Sequence, residues 1–170
     1  MKQVIWCYIL CLESLEVISL KDYYWREYYF NHLPVDAVPG GQNNDTAFYV
    51  GKVFIANYGL FPTKIIPDEV NVEVGFRGIR KTQEFVWILC SQRRSSFKWV
   101  KTKQATFNLT AATEFLVNGG IESGRWLKIG RIKYKGVYQI GKVLQNEGKM
   151  YFVHGQREYV SKCYEVLAFE

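Results

Sequence analysis

The sequence predicts an all-β protein made of two copies of one repeat that share a core with approximate two-fold symmetry. The first observation is composition. Twelve tyrosines, 11 phenylalanines and 5 tryptophans stand against only 4 prolines, and aromatic and β-branched residues favour the pleated, half-buried surface of a strand. The second is self-similarity: Gly40-Gly41 recurs as Gly119-Gly120, and Phe48-Tyr49-Val50-Gly51-Lys52-Val53 recurs as Leu127-Lys128-Ile129-Gly130-Arg131-Ile132, both at an offset of 79 residues. Recurrence at a fixed spacing marks a repeat architecture. The third is the lack of a convincing amphipathic helix, Thr110 to Leu116 being the nearest candidate.

The remaining elements follow in order. Each copy opens on a tryptophan, Trp25 or Trp99. Gln42-Asn43-Asn44-Asp45 and Glu122-Ser123-Gly124 are turn-rich links of the kind that join two strands of a hairpin. Gly59 to Ile65 corresponds to Gly136 to Val143 with small length changes. The alternation in Asn71-Val72-Glu73-Val74 and in Lys149-Met150-Tyr151-Phe152-Val153 predicts further strands. Phe76-Arg77-Gly78 then matches Val153-His154-Gly155, and Val86-Trp87-Ile88-Leu89 matches Tyr164-Glu165-Val166-Leu167. The copies span residues 23–90 and 97–169 and form one compact unit. Gly51 and Gly130, inside strands, predict a bulge or the close approach of another backbone.

Residues 1–19 form a separate segment. Met1-Lys2-Gln3 precedes an apolar run from Val4 to Leu12, the order of a secretory signal, with cleavage expected after Ser19. The run is too short to span a bilayer. Glu13 and Glu16 favour the competing reading, a buried or non-native leader segment. The protein is therefore expected to be secreted if the segment is a signal and cytoplasmic otherwise. Cys90 and Cys163 either pair or act as two buried thiols. The net charge of +6 comes from scattered lysines and arginines, which predicts a solvated basic surface and no nucleic-acid partner.

The ordered set Pro34, Ala37-Val38-Pro39-Gly40-Gly41, Tyr49-Val50-Gly51-Lys52 and Pro62-Thr63-Lys64, closing with Gly155-Gln156-Arg157-Glu158 and Tyr164-Glu165-Val166-Leu167, resembles the tandem DM-nine repeat family of invertebrates. Tyr23-Tyr24-Trp25-Arg26 and Ile88-Leu89-Cys90-Ser91 further resemble its insect branch. The resemblance implies two interlocked repeats about a pseudo-two-fold axis, often assembling as a homodimer. It also implies non-catalytic binding of mannose-type glycans in innate recognition of microbes or parasites, with one sugar pocket per repeat.

In the lectin members an acidic residue after the glycine pair and a lysine after the proline contact hydroxyls. A carboxylate accepts from neighbouring hydroxyls and an ammonium donates to sugar oxygens. Carried over, the second repeat supplies Glu122 and Lys142, with Glu158 in the closing stretch. The first keeps Lys64, but Asn43 takes the acidic position and Asp45 lies two residues on. The residue types therefore rank the second pocket above the first, and Lys142→Ala is expected to weaken binding more than Lys64→Ala.

Ordinary explanations exist for each residue: a lysine beside a turn is usually solvated, and glutamate in a hairpin turn is common. The inventory holds no metal-ligand spacing, no phosphate-binding loop and no nucleophile–base pair; His32 and His154 do not align between repeats. No catalysis, metal or cofactor is expected. Two alternatives remain open. One is a protein-binding or self-assembly module using the aromatic stretch Tyr23, Tyr24, Trp25, Tyr28, Tyr29 and Phe30. The other is a methyltransferase of hormone synthesis, since insect proteins with this repeat often carry a farnesoic acid methyltransferase-like label.

Overall fold

The structure, a computed structural model, describes residues 22–30 and 32–170; the expected leader at 1–19 lies outside them. The first half contributes strands β1 (Tyr24–Glu27), β2 (Pro39–Asn43), β3 (Thr46–Ile55), β4 (Gly59–Ile65), β5 (Val72–Gly75), β6 (Ile79–Thr82) and β7 (Val86–Cys90). The second contributes β8 (Phe97–Lys103), β9 (Asn118–Glu122), β10 (Arg125–Tyr134), β11 (Val137–Leu144), β12 (Lys149–His154), β13 (Arg157–Ser161) and β14 (Cys163–Phe169). All pairings are antiparallel, and the fold is all-β as the sequence predicts. One helix, α1 (Phe107–Thr113), separates β8 from β9. It starts three residues before the expected Thr110 because Phe107 is the residue that buries, and it ends where Glu114 turns extended.

Several ladders of one half have counterparts in the other. Val50 opposes Lys64 and Gly51 opposes Thr63 between β3 and β4, while Ile129 opposes Lys142 and Gly130 opposes Gly141 between β10 and β11. Gly51 also opposes Ile88, as Gly130 opposes Val166. Trp25 lies opposite Leu89, as Trp99 lies opposite Leu167. Lys52 stands 4.4 Å over the Trp25 ring and Arg131 4.4 Å over the Trp99 ring. The close neighbours that exclude a side chain at Gly51 and Gly130 are mainly side chains, Ile65 in one case and Met150 with Val143 in the other, rather than the backbone the sequence suggests.

Burial follows the same correspondence. The middle core joins Val38 to Val117, Val50 to Ile129 and Leu89 to Leu167, one member of each couple from each half. The outer cores are counterparts: Ile65, Val72, Val74 and Ile88 on one side stand where Val143, Met150, Phe152 and Val166 stand on the other. Each half thus needs the other to cover its sheet, and apolar burial at about 25 cal/mol per Å² favours keeping them together.

One position at which the correspondence fails shapes the site. At Gly141 a Cβ would sit 2.0 Å from the Tyr151 carbonyl oxygen, so glycine lets β12 lie close enough to β11 to form a ladder. The first half has Thr63 there. Its side chain holds β5 away and replaces the ladder bond with its own, Oγ1 donating to the Glu73 carbonyl at 2.9 Å. The β5–β6 hairpin consequently forms a separate two-stranded sheet, and a cleft opens beside it.

Cys90 and Cys163 do not pair with each other. Cys90 ends β7 fully buried, Cys163 begins β14 exposed, and both are free thiols. They occupy opposite ends of corresponding strands; the residue matching Cys90 is Ala168, each bridging to its own half's loop through Ala37 and Leu116. In the amino-terminal aromatic stretch, Tyr28 is buried, Tyr23 packs against Phe97 and Phe169, and Tyr24 and Tyr29 are exposed. No helix among the described residues is long and apolar enough to cross a membrane.

Candidate functional site

Three of the sequence-predicted residues converge in the second half. Glu122 closes the β9–β10 hairpin, Lys142 lies mid-strand on β11, and Glu158 lies on β13. Lys142 Nζ is 3.0 Å from Glu122 Oε1 and 3.9 Å from Glu158 Oε1. The same ammonium lies 5.2 Å from the Phe61 and Phe76 ring centres and 5.7 Å from that of Tyr151. Cations over aromatic faces are stabilised by the ring quadrupole, more so when desolvated. The lysine side chain retains 9% of its exposure. Glu158 Oε1 is buried without a hydrogen bond, and burial raises its carboxyl above the usual carboxylate range, partly offset by Lys142. The space beside this cluster is about 10 Å³, the scale of one water molecule.

The counterpart lysine lives in different surroundings. Lys64 Nζ donates to Gln139 Oε1 at 3.2 Å and to the Tyr138 carbonyl at 3.5 Å. Ladder registers pair each neighbour with its counterpart: Phe61 opposes Val53 as Gln139 opposes Ile132. Counting along the hairpins in the same way sets Phe76 against His154 and Tyr151 against Glu73. The aromatic cage around Lys142 is thus exchanged, position by position, for an amide, an imidazole and a carboxylate around Lys64. Burial pulls the Lys64 ammonium below its ordinary range, with Glu69 and Glu73 opposing the shift.

Lys64 opens onto a cleft of about 460 Å³, also lined by Asn71, Glu73, Gln139, His154 and Gln156. Lysine only donates, so Gln139 presents its oxygen to Lys64 and its Nε2 to His154 Nδ1, 3.3 Å away. That arrangement requires an unprotonated Nδ1 on His154.

The other first-repeat residues are placed elsewhere. Asn43 accepts from the Tyr138 amide at 2.6 Å and donates to the Tyr138 carbonyl at 3.1 Å. Its side chain acts as a rung between β2 and β11, where the other half has a backbone ladder between β4 and β9, and so it is spent on structure rather than turned to a ligand. Asp45 stands exposed at the hairpin tip and does not line the cleft.

Gln139, His154 and Glu73 are the residues that reading the sequence missed. Their signal was present, since each is the counterpart of an aromatic around Lys142. Matching Gly78 to Gly155 sets Phe76 against Val153, one residue out, because Gly78 stands three residues after Gly75 whereas Gly155 stands two after its counterpart Val153.

Among described residues, no group of three or more histidine, cysteine, aspartate or glutamate side chains is arranged to hold a metal. None of the curated proteins matches the chain. Residues 43–161, more than half of its length and containing Asn43, Lys64, Glu122, Lys142 and Glu158, match the DM9 repeat; the chain belongs to the DM9 repeat family.

Proposed function

We propose that the protein is a non-catalytic carbohydrate-binding protein that takes a mannose-type hexose in the Lys64 cleft. The observation that carries the reading is the contrast between two register-equivalent lysines: Lys142 is enclosed by its own carboxylates and rings, whereas Lys64 faces about 460 Å³ of polar space. Small-molecule sites usually occupy about 300–1,000 Å³. Vicinal hydroxyls need acceptors and donors at close spacing, and Glu73, Gln139, His154 and Lys64 supply both. Space thus ranks the pockets in the order opposite to residue type. The homodimer, the pseudo-two-fold axis and a role in innate recognition belong to this same reading through the family resemblance, and secretion belongs to it through the signal-like order of residues 1–19.

A second reading, the second-repeat pocket, draws on Glu158 Oε1, a buried acceptor that a sugar hydroxyl would satisfy. A glycan array separates the two. Wild-type protein is expected to bind mannose-terminated glycans, Lys64→Ala to lose most of that binding, and folded Lys142→Ala to keep it. Loss in Lys142→Ala alone would move the site to the second repeat, and silence of folded wild-type protein would remove the function.

The methyltransferase alternative has little support, because the antiparallel sheet offers no strand–glycine-rich turn–helix unit among the described residues. Calorimetry with S-adenosylmethionine is expected to give no saturable heat.

A further inference from the structure

Strand β11 presents successive residues to opposite faces: Gln139 faces the Lys64 cleft, and Tyr138 faces a groove of about 290 Å³ on the other side. Across the strands behind that groove, Lys101 opposes Glu165, Glu165 opposes Arg131, and Lys133 opposes Tyr138. Lys103 stands at the rim, opposite Cys163. Among the described residues Glu165 is the only acid lining the groove, and Arg131 consumes it, with Nε and Nη2 at 2.8 and 2.7 Å from Oε2. Lys101, Lys103 and Lys133 have no carboxylate partner among the described residues.

Some cations at other surface positions are paired with acids. Lys81 pairs with Glu73, Arg93 with Asp22, Lys98 with Glu114 and Glu170, and Lys149 with Glu147. In the groove, Lys101, Lys103 and Lys133 gather beside an aromatic wall: the Tyr138 ring centre is 4.8 Å from the Arg131 guanidinium and 5.5 Å from the Lys133 ammonium. Concave walls of one sign focus the field and raise the local concentration of counter-charged ligand.

We infer that this groove is a second binding site, separate from the proposed hexose cleft, for an anionic polysaccharide carrying sulfate or carboxylate groups. Lys101, Lys103 and Lys133 meet the anionic groups, and the Tyr138 ring, with Ile132 beside it, meets the apolar face of a sugar ring. A nucleic acid fits less well, because base recognition uses several stacked aromatic platforms and a single ring is offered here. Lys101 and Lys133 stand two strands and two residues apart, which at about 4.8 Å per strand and about 3.3 Å per residue separates them by about 12 Å, a span of more than one sugar unit that an extended chain with repeated charges can bridge.

The test uses heparin as the sulfated probe and polygalacturonate as the carboxylated one, with dextran and single-stranded oligothymidylate as comparators. Wild-type protein is expected to bind at least one anionic polysaccharide, with affinity falling as salt rises, and to bind dextran and oligothymidylate much more weakly. Lys101→Glu with Lys133→Glu is expected to weaken polysaccharide binding by about tenfold or more at low salt, since log affinity follows the number of neutralised charges. Lys81→Glu with Lys149→Glu, an equal change in net charge at acid-paired sites, is expected to change it by less than about threefold. Bound polysaccharide is also expected to slow alkylation of Cys163, which lines the groove. Equal losses in the two double variants, equal affinity for oligothymidylate, no binding to either polysaccharide, or unprotected Cys163 would each overturn the proposal. None of these outcomes depends on whether Lys64 binds mannose.

Discussion

Replacing Lys142 by methionine separates the structural lysine from the proposed binding one. Lys142 holds the charges of Glu122 and Glu158, whose side chains keep 14% and 24% of their exposure. Methionine fills much the same volume between Phe61, Phe76 and Tyr151 but leaves two acidic groups without their cation. Removing one partner of a buried ion pair costs about 3–5 kcal/mol. For a domain of this size each kcal/mol moves Tm by about 2–4 °C, so a fall of about 6–20 °C is expected.

Lys64→Met has a different outcome. It loses two hydrogen bonds to neutral acceptors, each worth about 0.5–1.5 kcal/mol net, and it relieves the burial that already pulls the Lys64 ammonium down. Its net cost is expected to stay near 1 kcal/mol. Urea unfolding followed by far-UV circular dichroism measures both. Lys142→Met combined with Glu122→Gln and Glu158→Gln is expected to recover most of the loss, since the cost lies in the stranded charges. A loss below about 1 kcal/mol in Lys142→Met, or an equal loss in Lys64→Met, would refute the assignment of roles.

Gly141→Ala is expected to destabilise the protein by several kcal/mol, because a Cβ there would meet the Tyr151 carbonyl oxygen at 2.0 Å; an unchanged urea midpoint would contradict the account of the β11–β12 ladder. Glu158→Gln tests the sign of a pKa shift. Burial raises the native Glu158 carboxyl, so its contribution is fully present below the ordinary carboxyl range and lost as pH rises through the native value. The variant should therefore be as stable as wild type or more so at pH 7, with the difference shrinking on acidification; a deficit that grows toward neutral pH would show that the carboxylate is favoured. Native protein is expected to react quickly with a thiol reagent at Cys163 and not at Cys90, which is fully buried and whose thiol burial pushes up to about 12; equal rates would mean that β7 opens readily.

Matching apolar positions are legible in the sequence because one interior uses them twice. Val38 and Val117, Val50 and Ile129, and Leu89 and Leu167 fill one middle core, so matching apolar positions survive at constant spacing. The lysines Lys64 and Lys142 were likewise found at matching positions. What residue types conceal is the space around them. That depends on Thr63 in place of Gly141, a difference of one side chain that parts a strand pair and opens a cleft. Asn43 shows the same limit: an amide at the position of an acid reads as a weakened ligand contact, yet its two hydrogen bonds go to the backbone of Tyr138. Glu158 was found from the closing motif, but that it reaches across to Gly75 and Lys142 depends on the packing of the two hairpins.

The most direct test of the Lys64 assignment is an experimental structure of the protein saturated with mannose. A hexose seated against Lys64, Gln139 and His154, with the Glu122–Lys142–Glu158 cluster closed and unliganded, is the predicted result. A hexose bound between Glu122 and Lys142 with the Lys64 cleft empty would contradict it.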